Sequence, residues 1–392
     1  MFLNAQAGGL LWNVSDHVQA KRKQEDDEDR HGELWMFLLH QLLTLCRDSR
    51  QEVRDAAITN IFRSVSMYGT TLSNKTWDQC CHEIIFPLVD DISNAIKSQY
   101  DDQSLVEEAT VPQAHGPPIR LIDKQWDDSK TLVLRSMGDV FLDYLPQIVK
   151  TDRYEETWST FVGHLQQSFI RDRPAPATAA MQSLEKVLTV SLESTEASRI
   201  ASSWEVAWSA WDEMGLAVEN NSIDHNSKIF TQVNLESFVR AVLPIYTPPY
   251  ISFDLSRISR LLSILKSVLT YSQSPDYRPD IDGLMPLQSA ILEVIAVIKL
   301  DEVPGAASAV LSDLSDYLTL AYTSSFECPS DGSGRFKQSQ SVTFVALTKE
   351  VMPHALWLYQ KYRGEPAVYE QGAVEKMLAV SSNSFVVAQN RR

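Results

Sequence analysis

The chain has 392 residues and only 14 glycines, about half the share of an average soluble protein. So little glycine fits many helices and few tight β-turns. Cysteine is sparse too: Cys46, Cys80, Cys81 and Cys328 are scattered rather than set at disulfide-framework spacing, which points to a reducing compartment. The N-terminus lacks the basic region and following apolar run of a secretory signal. The longest apolar stretch, 284–300, is interrupted by Pro286, Gln288, Glu293 and Lys299, so it reads as a buried repeat helix rather than a membrane span. Positive charge is short, with 35 Lys and Arg against 51 Asp and Glu and a net charge of −16. Such a surface repels phosphates and anionic lipid on average, and with no long basic stripe no nucleic-acid partner is expected. The G-x-S-x-G, P-loop, G-x-G-x-x-G and H-E-x-x-H patterns are missing, so neither an enzyme nor a cofactor is expected. The reading is a cytosolic protein whose membrane contact, if any, is peripheral.

What the chain does have is helical periodicity. From Glu33 to Asp91, Leu34, Trp35, Leu38, Leu39, Leu42, Leu43 and Leu45 recur at i, i+3 and i+4 and define the face of a first helix. Ser49 and Glu52 match an S-x-x-E capping box at the start of a second helix. Its face is Val53, Ala56, Ala57, Ile61, Phe62 and Val65, closing at Gly69. A helix pair this short cannot bury both apolar faces alone, so it must stack on neighbours. The fold class expected is all-α, a HEAT/armadillo-like α-solenoid of antiparallel helix pairs.

Along the chain, residues 1–32 read as the end of a preceding helix around Gly9–Val14 and a charged linker, and 33–97 as HEAT-like helices. Residues 98–121 read as a mobile loop and 122–323 as a continuing array opened by Trp126, Leu132, Leu134, Met137, Val140, Phe141, Leu145 and Ile148. A flexible loop at 324–340, helices over 341–380 and a frayed tail at 381–392 complete the expectation. Further helices are expected near 153–170, 175–191, 195–219, 231–246, 254–272, 284–300, 304–323, 341–362 and 366–380. Prolines set between apolar residues, at Pro87, Pro146, Pro244, Pro286 and Pro353, suggest helices that bend late in their course or begin at these residues.

Gly9–Asp16, a charged linker, Leu34-Trp35, Asp48 with Glu52-Val53-Arg54, Ala57, Phe62, Gly69, Trp77 and Phe86-Pro87-Leu88 before Asp90-Asp91 resemble the region downstream of the Sec7 domain in large Golgi Arf exchange factors. The same region occurs in their Sec7-less relatives, the Mon-two proteins. Lys124–Ser129 followed by Leu132-Val133-Leu134 is more similar to Mon-two. Arg50 departs from the family, which usually has proline there. The resemblance covers roughly residues 8–95 and, less closely, 120–190. It implies a C-terminal piece of a non-enzymatic scaffold on the cytosolic face of the trans-Golgi network and endosomes. It also implies a Dop-one-type partner and, indirectly, a phospholipid flippase; an Arf-like GTPase is a further partner to consider. The alternatives are the regulatory region of a Sec7-type exchange factor and an importin-like cargo-binding solenoid.

Four clusters invite a functional reading. Cys80-Cys81-His82 contains metal-ligand types, but consecutive helical residues diverge by about 100° each and do not converge on one ion, so no metal is expected. Ser49, Glu52 and Arg54 are expected to hold the repeat together, Arg54 by pairing with Asp48 or Asp90. Trp204, Trp208 and Trp211 form one stripe at i, i+4 and i+7; a core role competes with a partly exposed partner-binding anchor. Arg257, Arg260 and Lys266 have no acid beside them in sequence and would suit an anionic lipid surface, or the outer face of a buried repeat helix.

Overall fold

The computed structural model describes residues 13, 28–107, 119–190, 197–221, 229–278, 280, 283–323, 344–370 and 372–379. Among these residues there are helices and no strand. The chain divides into two compact units, Met1–Ala210 and Trp211–Arg392.

The first unit contains α1 (Glu28–Leu45), α2 (Gln51–Tyr68), α3 (Asn74–Gln79), a π-helical segment at Cys80–Ile85, and α4 (Phe86–Glu107). It continues with α5 (Ile119–Ile148), α6 (Tyr154–Arg171), α7 (Pro174–Leu188) and the start of α8 (Ala197–Asn221). The packing runs stepwise: α1 on α2, α2 and α4 on α5, α5 and α6 on α7. Contacts between near neighbours in the chain are the signature of an α-solenoid, with which this all-α arrangement is consistent. The amphipathic faces supply the adhesion. Trp35, Leu39, Ile58, Ile61, Val65, Trp77, Leu134 and Phe141 are all at or below 1% exposed, and each such side chain contributes about 1.5–3 kcal/mol on burial.

Several local expectations are corrected. Ser49 and Glu52 do not form a capping box. Arg50 is the N-cap of α2, with extended backbone and no side-chain cap. Asp48 takes over because its carboxylate accepts the Arg50 amide and guanidinium. That contact with Arg50 lowers the Asp48 carboxyl to about 2. Gly69 does not end α2 in the left-handed region; its φ is −51° and the chain runs on into a 3-10 turn, Gly69–Thr71. Glycine is needed there for close approach, since a Cβ would sit 2.5 Å from the Tyr144 ring.

Residues 98–107, expected as loop, prolong α4 beyond Ile92, its last buried described side chain. Likewise Glu28–Arg30, expected in the linker, start α1, and Ile119–Leu121 start α5. The expectations for 1–12, 14–27, 108–118, 324–343 and 380–392 lie outside the described residues.

The second unit contains α9 (Gln232–Arg240), α10 (Leu243–Tyr246), α11 (Leu255–Leu269), α12 (Pro286–Ala296), α13 (Ala306–Thr323), α14 (Val345–Tyr362) and α15 (Pro366–Glu370). The helix expected over 231–246 is split at Ala241 and Val242. Here α9 packs on α12, α11 on α12 and α13, and α13 on α14 and α15. Pro244 and Pro286 occupy first-turn positions, where a missing amide costs little. Pro146 and Pro353 lie inside helices. Asp280 ties α12 to α14: its buried carboxylate accepts the Val345 and Leu347 amides and the Gln288 side-chain amide.

Candidate partner-binding groove

The second unit carries a groove of about 510 Å³, walled by Ile295 and Ile298 at the end of α12, Val310 and Leu314 of α13, and Trp357 and Leu358 of α14. Its rim is Lys299, Asp301, Glu302, His354, Lys361 and Tyr362. The groove exists because α12 stops at Ala296 and the chain turns before α13 begins at Ala306. Two features hold that turn. The Tyr246 hydroxyl accepts the Lys299 amide at 2.9 Å, and Gly305 adopts a φ of 85°, which side-chain-bearing residues rarely do. On the facing wall, Tyr362 Oη donates to Asp301 Oδ1 at 2.7 Å, and Lys361 Nζ lies 3.1 Å from Asp301 Oδ2. These contacts, Tyr362 first and Lys361 second, hold the Asp301 carboxyl below its ordinary range. The Lys361 ammonium also lies 4.7 Å from the Tyr362 ring centroid and 5.4 Å from that of Trp357, within cation–π range.

The outward side of α14 is unusually apolar. Trp357 is 55% exposed and Leu356 44%, with Val345 and Met352 also exposed. Large exposed apolar side chains rimmed by polar groups mark interaction surfaces, and tryptophan is the residue type most enriched among interface hot spots. The groove is therefore suited to receiving apolar side chains, with charged groups at the edge to select among them.

The residues singled out from sequence lie elsewhere. Trp204, Trp208 and Trp211 are 0%, 6% and 0% exposed, so the expectation of a partly exposed anchor is corrected. Trp204 stacks on Trp158 at 6.3 Å. Trp211 stacks on Phe238 at 4.8 Å and its indole N–H donates to the Phe238 carbonyl. Ala207 and Ala210, between the tryptophans in the same helix, are buried as well. The lipid-contact expectation for Arg257, Arg260 and Lys266 is corrected as well. Arg260 pairs with Asp212 and Glu219, Lys266 pairs with Asp316, and Arg257 donates to the Ser252 carbonyl. The apolar face of α11, including Ile258, Leu261, Leu262 and Leu265, is buried.

Arg54 is fully buried between α2 and α5. It meets neither Asp carboxylate directly. Its guanidinium donates to the carbonyls of Asp48, Ser49 and Gln125 and to Ser129 Oγ, and stacks 3.8 Å over Trp126. Ser129 then donates to Asp55, so the nearest carboxylate is reached through a hydroxyl. Cys80 and Cys81 are buried in the π-helical segment, and burial pushes the Cys80 thiol up to about 12. His82 binds Thr157 Oγ1 instead. Among the described residues no group of three or more His, Cys, Asp or Glu side chains is placed to hold a metal.

Residues 27–210 match the family model described as the C-terminal region of Mon2 protein. The chain is 21% identical over 346 residues to the Protein MON2 homolog of Drosophila melanogaster, covering 76% of this chain and 20% of that protein. It is also 21% identical over 346 residues to Monensin-resistant homolog 2 of Caenorhabditis elegans, covering 74% and 21%. A shorter likeness, 23% over 129 residues, joins it to the ARF guanine-nucleotide exchange factor GNOM of Arabidopsis thaliana, covering 32% and 7%. The chain thus spans about a fifth of the length of the Mon2-type relatives. No solved structure matches. The resemblance to the Mon-two proteins is shown: the family model ends at residue 210, and the likeness to the Drosophila and Caenorhabditis relatives covers about three quarters of the chain, beyond the 8–190 expected from the motifs.

Proposed function

Residues 27–210 are of the Mon2 C-terminal type, and from that premise we propose that this chain is a non-enzymatic interaction scaffold of endosome-to-Golgi trafficking. It acts at the cytosolic face of the trans-Golgi network and endosomes as a peripheral protein of a HEAT-like kind. No helix among the described residues is long and apolar enough to cross a membrane. Stacked helices supply rigid surface area, and the α12–α14 groove supplies a docking site on it. The observation that supports this reading best is Trp357, a large apolar side chain more than half exposed beside an apolar groove. The partner proposed is a Dop-one-type scaffold, which would link the chain indirectly to a phospholipid flippase. The likeness to an exchange factor favours a second partner class, an Arf-like GTPase bound without catalysis.

Purified Dop-one-type protein should bind the wild-type chain and lose most of that binding when Leu356 and Trp357 are both replaced by alanine. The variant must first show an unchanged melting curve. Binding that ignores the double substitution would remove the groove from the account. Recovery of an Arf-like GTPase alone would favour the exchange-factor-related reading.

A further inference from the structure

We propose that the outer stripe of α1, in the first unit, is the docking face for a segment of the same chain, residues 10–20, which carries Leu11, Val14 and Val18. On its inner side α1 packs on α2 and on the π-helical segment, and Trp35, Leu38, Leu39 and Leu42 are buried. Between Leu34 and Leu45 its exposed residues are Leu34, Phe37, Gln41 and Thr44. They recur at i, i+3, i+7 and i+10 and so form one stripe, about 15 Å long at 1.5 Å per residue. None of the four is charged. Phe37 is 57% exposed and Leu34 45%, and the Thr44 hydroxyl donates to the Gln41 carbonyl of its own helix at 2.7 Å. Other helices of this unit face water differently: the exposed residues of α2 include Glu52 and Arg63, and those of α6 include Glu155, Glu156 and Arg171. A solenoid layer that ends in water carries a polar outer face, whereas an uncharged stripe at this spacing is the seam along which another helix packs.

The occupant is identified by pattern and by tether. Leu11, Val14 and Val18 recur at i, i+3 and i+7, the spacing of the stripe itself. Asn13, the one residue of the segment that the structure describes, is helical and exposed. At about 100° per residue it shares a side with Asp16 and His17 and points away from Leu11 and Val18. The charged residues 21–27 have the length of a connection between antiparallel helices, about 2–8 residues. Because α1 begins at Glu28, a turn there brings Val18 toward Leu34 and Leu11 toward Gln41. A helix held by so short a link meets the stripe at an effective concentration on the order of millimolar, which favours it over a second copy of the chain.

Hydrogen exchange on the whole chain is the test. A helix this short is not stable alone in water, so slow exchange over residues 11–18 reports docking. In the wild type these amides should exchange more slowly than those of 21–27. They should lose that protection in Phe37→Glu, while residues 53–65 of α2 keep theirs. Val18→Glu, which leaves α1 untouched, should give the same loss. Amides of 11–18 that exchange as freely as the linker in the wild type, or that stay protected in either variant, would overturn the proposal. Protection that grows with protein concentration would assign the stripe to a second copy and overturn it as well.

Discussion

The two units treat their helix surfaces in opposite ways. Between α2 and α5 in the first, a single buried arginine collects three main-chain carbonyls, a serine hydroxyl and an indole face. Nearby, Lys130 pairs with Asp172 with both side chains nearly buried. Polar groups there are spent on closing interfaces. In the second unit Asp280 performs a similar closing role for α12 and α14, yet the outer side of α14 stays apolar and open. The contrast separates stacking, which dominates the first unit, from the docking proposed for the open apolar surface of the second.

The largest expected break in that contrast is Trp204→Ala. It removes a fully buried ring stacked on Trp158 and should destabilise the chain by about 3–5 kcal/mol. Chemical denaturation will measure it. Arg54→Ala comes next, at about 3 kcal/mol, because the Asp48, Ser49 and Gln125 carbonyls lose a charged donor in a buried site. A drop in melting temperature checks it, and Arg54→Lys should restore only part, since an ammonium lacks the planar fork. Gly69→Ala should cost about 1–3 kcal/mol by forcing the Tyr144 ring away from the close approach it makes there.

A smaller effect distinguishes the units by sign. In the first, burial lowers the pKa of His164, with Asp90 opposing and Lys130 reinforcing that shift, and burial also lowers His82. The unfolded chain takes up protons below about pH 6.5 that the folded histidines resist, so acidification through that point should weaken this unit. In the second, burial pushes the Asp313 carboxyl up to about 6, with Lys266, Asp316 and Lys376 as its charged neighbours. Below about pH 4 that group is neutral in both states. As pH rises from there toward 6 the unfolded chain ionises first, so stability falls, by an amount on the order of 1 kcal/mol after screening. Urea midpoints across pH for Asp313→Asn and His164→Gln, against wild type, should show the two opposite slopes flattened separately. The smallest stability effect is expected for Trp357→Ala, within about 0.5 kcal/mol as for other exposed positions.

Helix existence was readable because it rests on local periodicity. Most of the stripe residues on α1, α2, α5 and α11 face the core where their spacing puts them, but Leu34 and Ala56, expected on the buried faces of α1 and α2, are exposed. What could not be read were contacts across long separations. The partners of Arg54 on α5 lie 71 and 75 residues away, and the acids that pair with Arg260 lie 41 and 48 residues upstream. Absence of a neighbouring acid in sequence therefore said nothing about neutralisation in space. The tryptophan stripe misled for a related reason: ring size suggested crowding, while stacking partners on other helices absorb it. Trp357 was missed because its exposure depends on where α12 stops and the chain turns toward α13. The one usable signal was an apolar residue off the buried face of α14, marked by Ala346, Leu347, Val351, Ala355 and Leu358.

The division between a stacking unit and a docking unit is tested most directly by retrieval of a cargo from endosomes to the Golgi in cells whose own copy is replaced by Leu356→Ala/Trp357→Ala. The account predicts that the variant accumulates at wild-type levels with an unchanged melting curve and fails to support retrieval. Retrieval at the wild-type rate would contradict it.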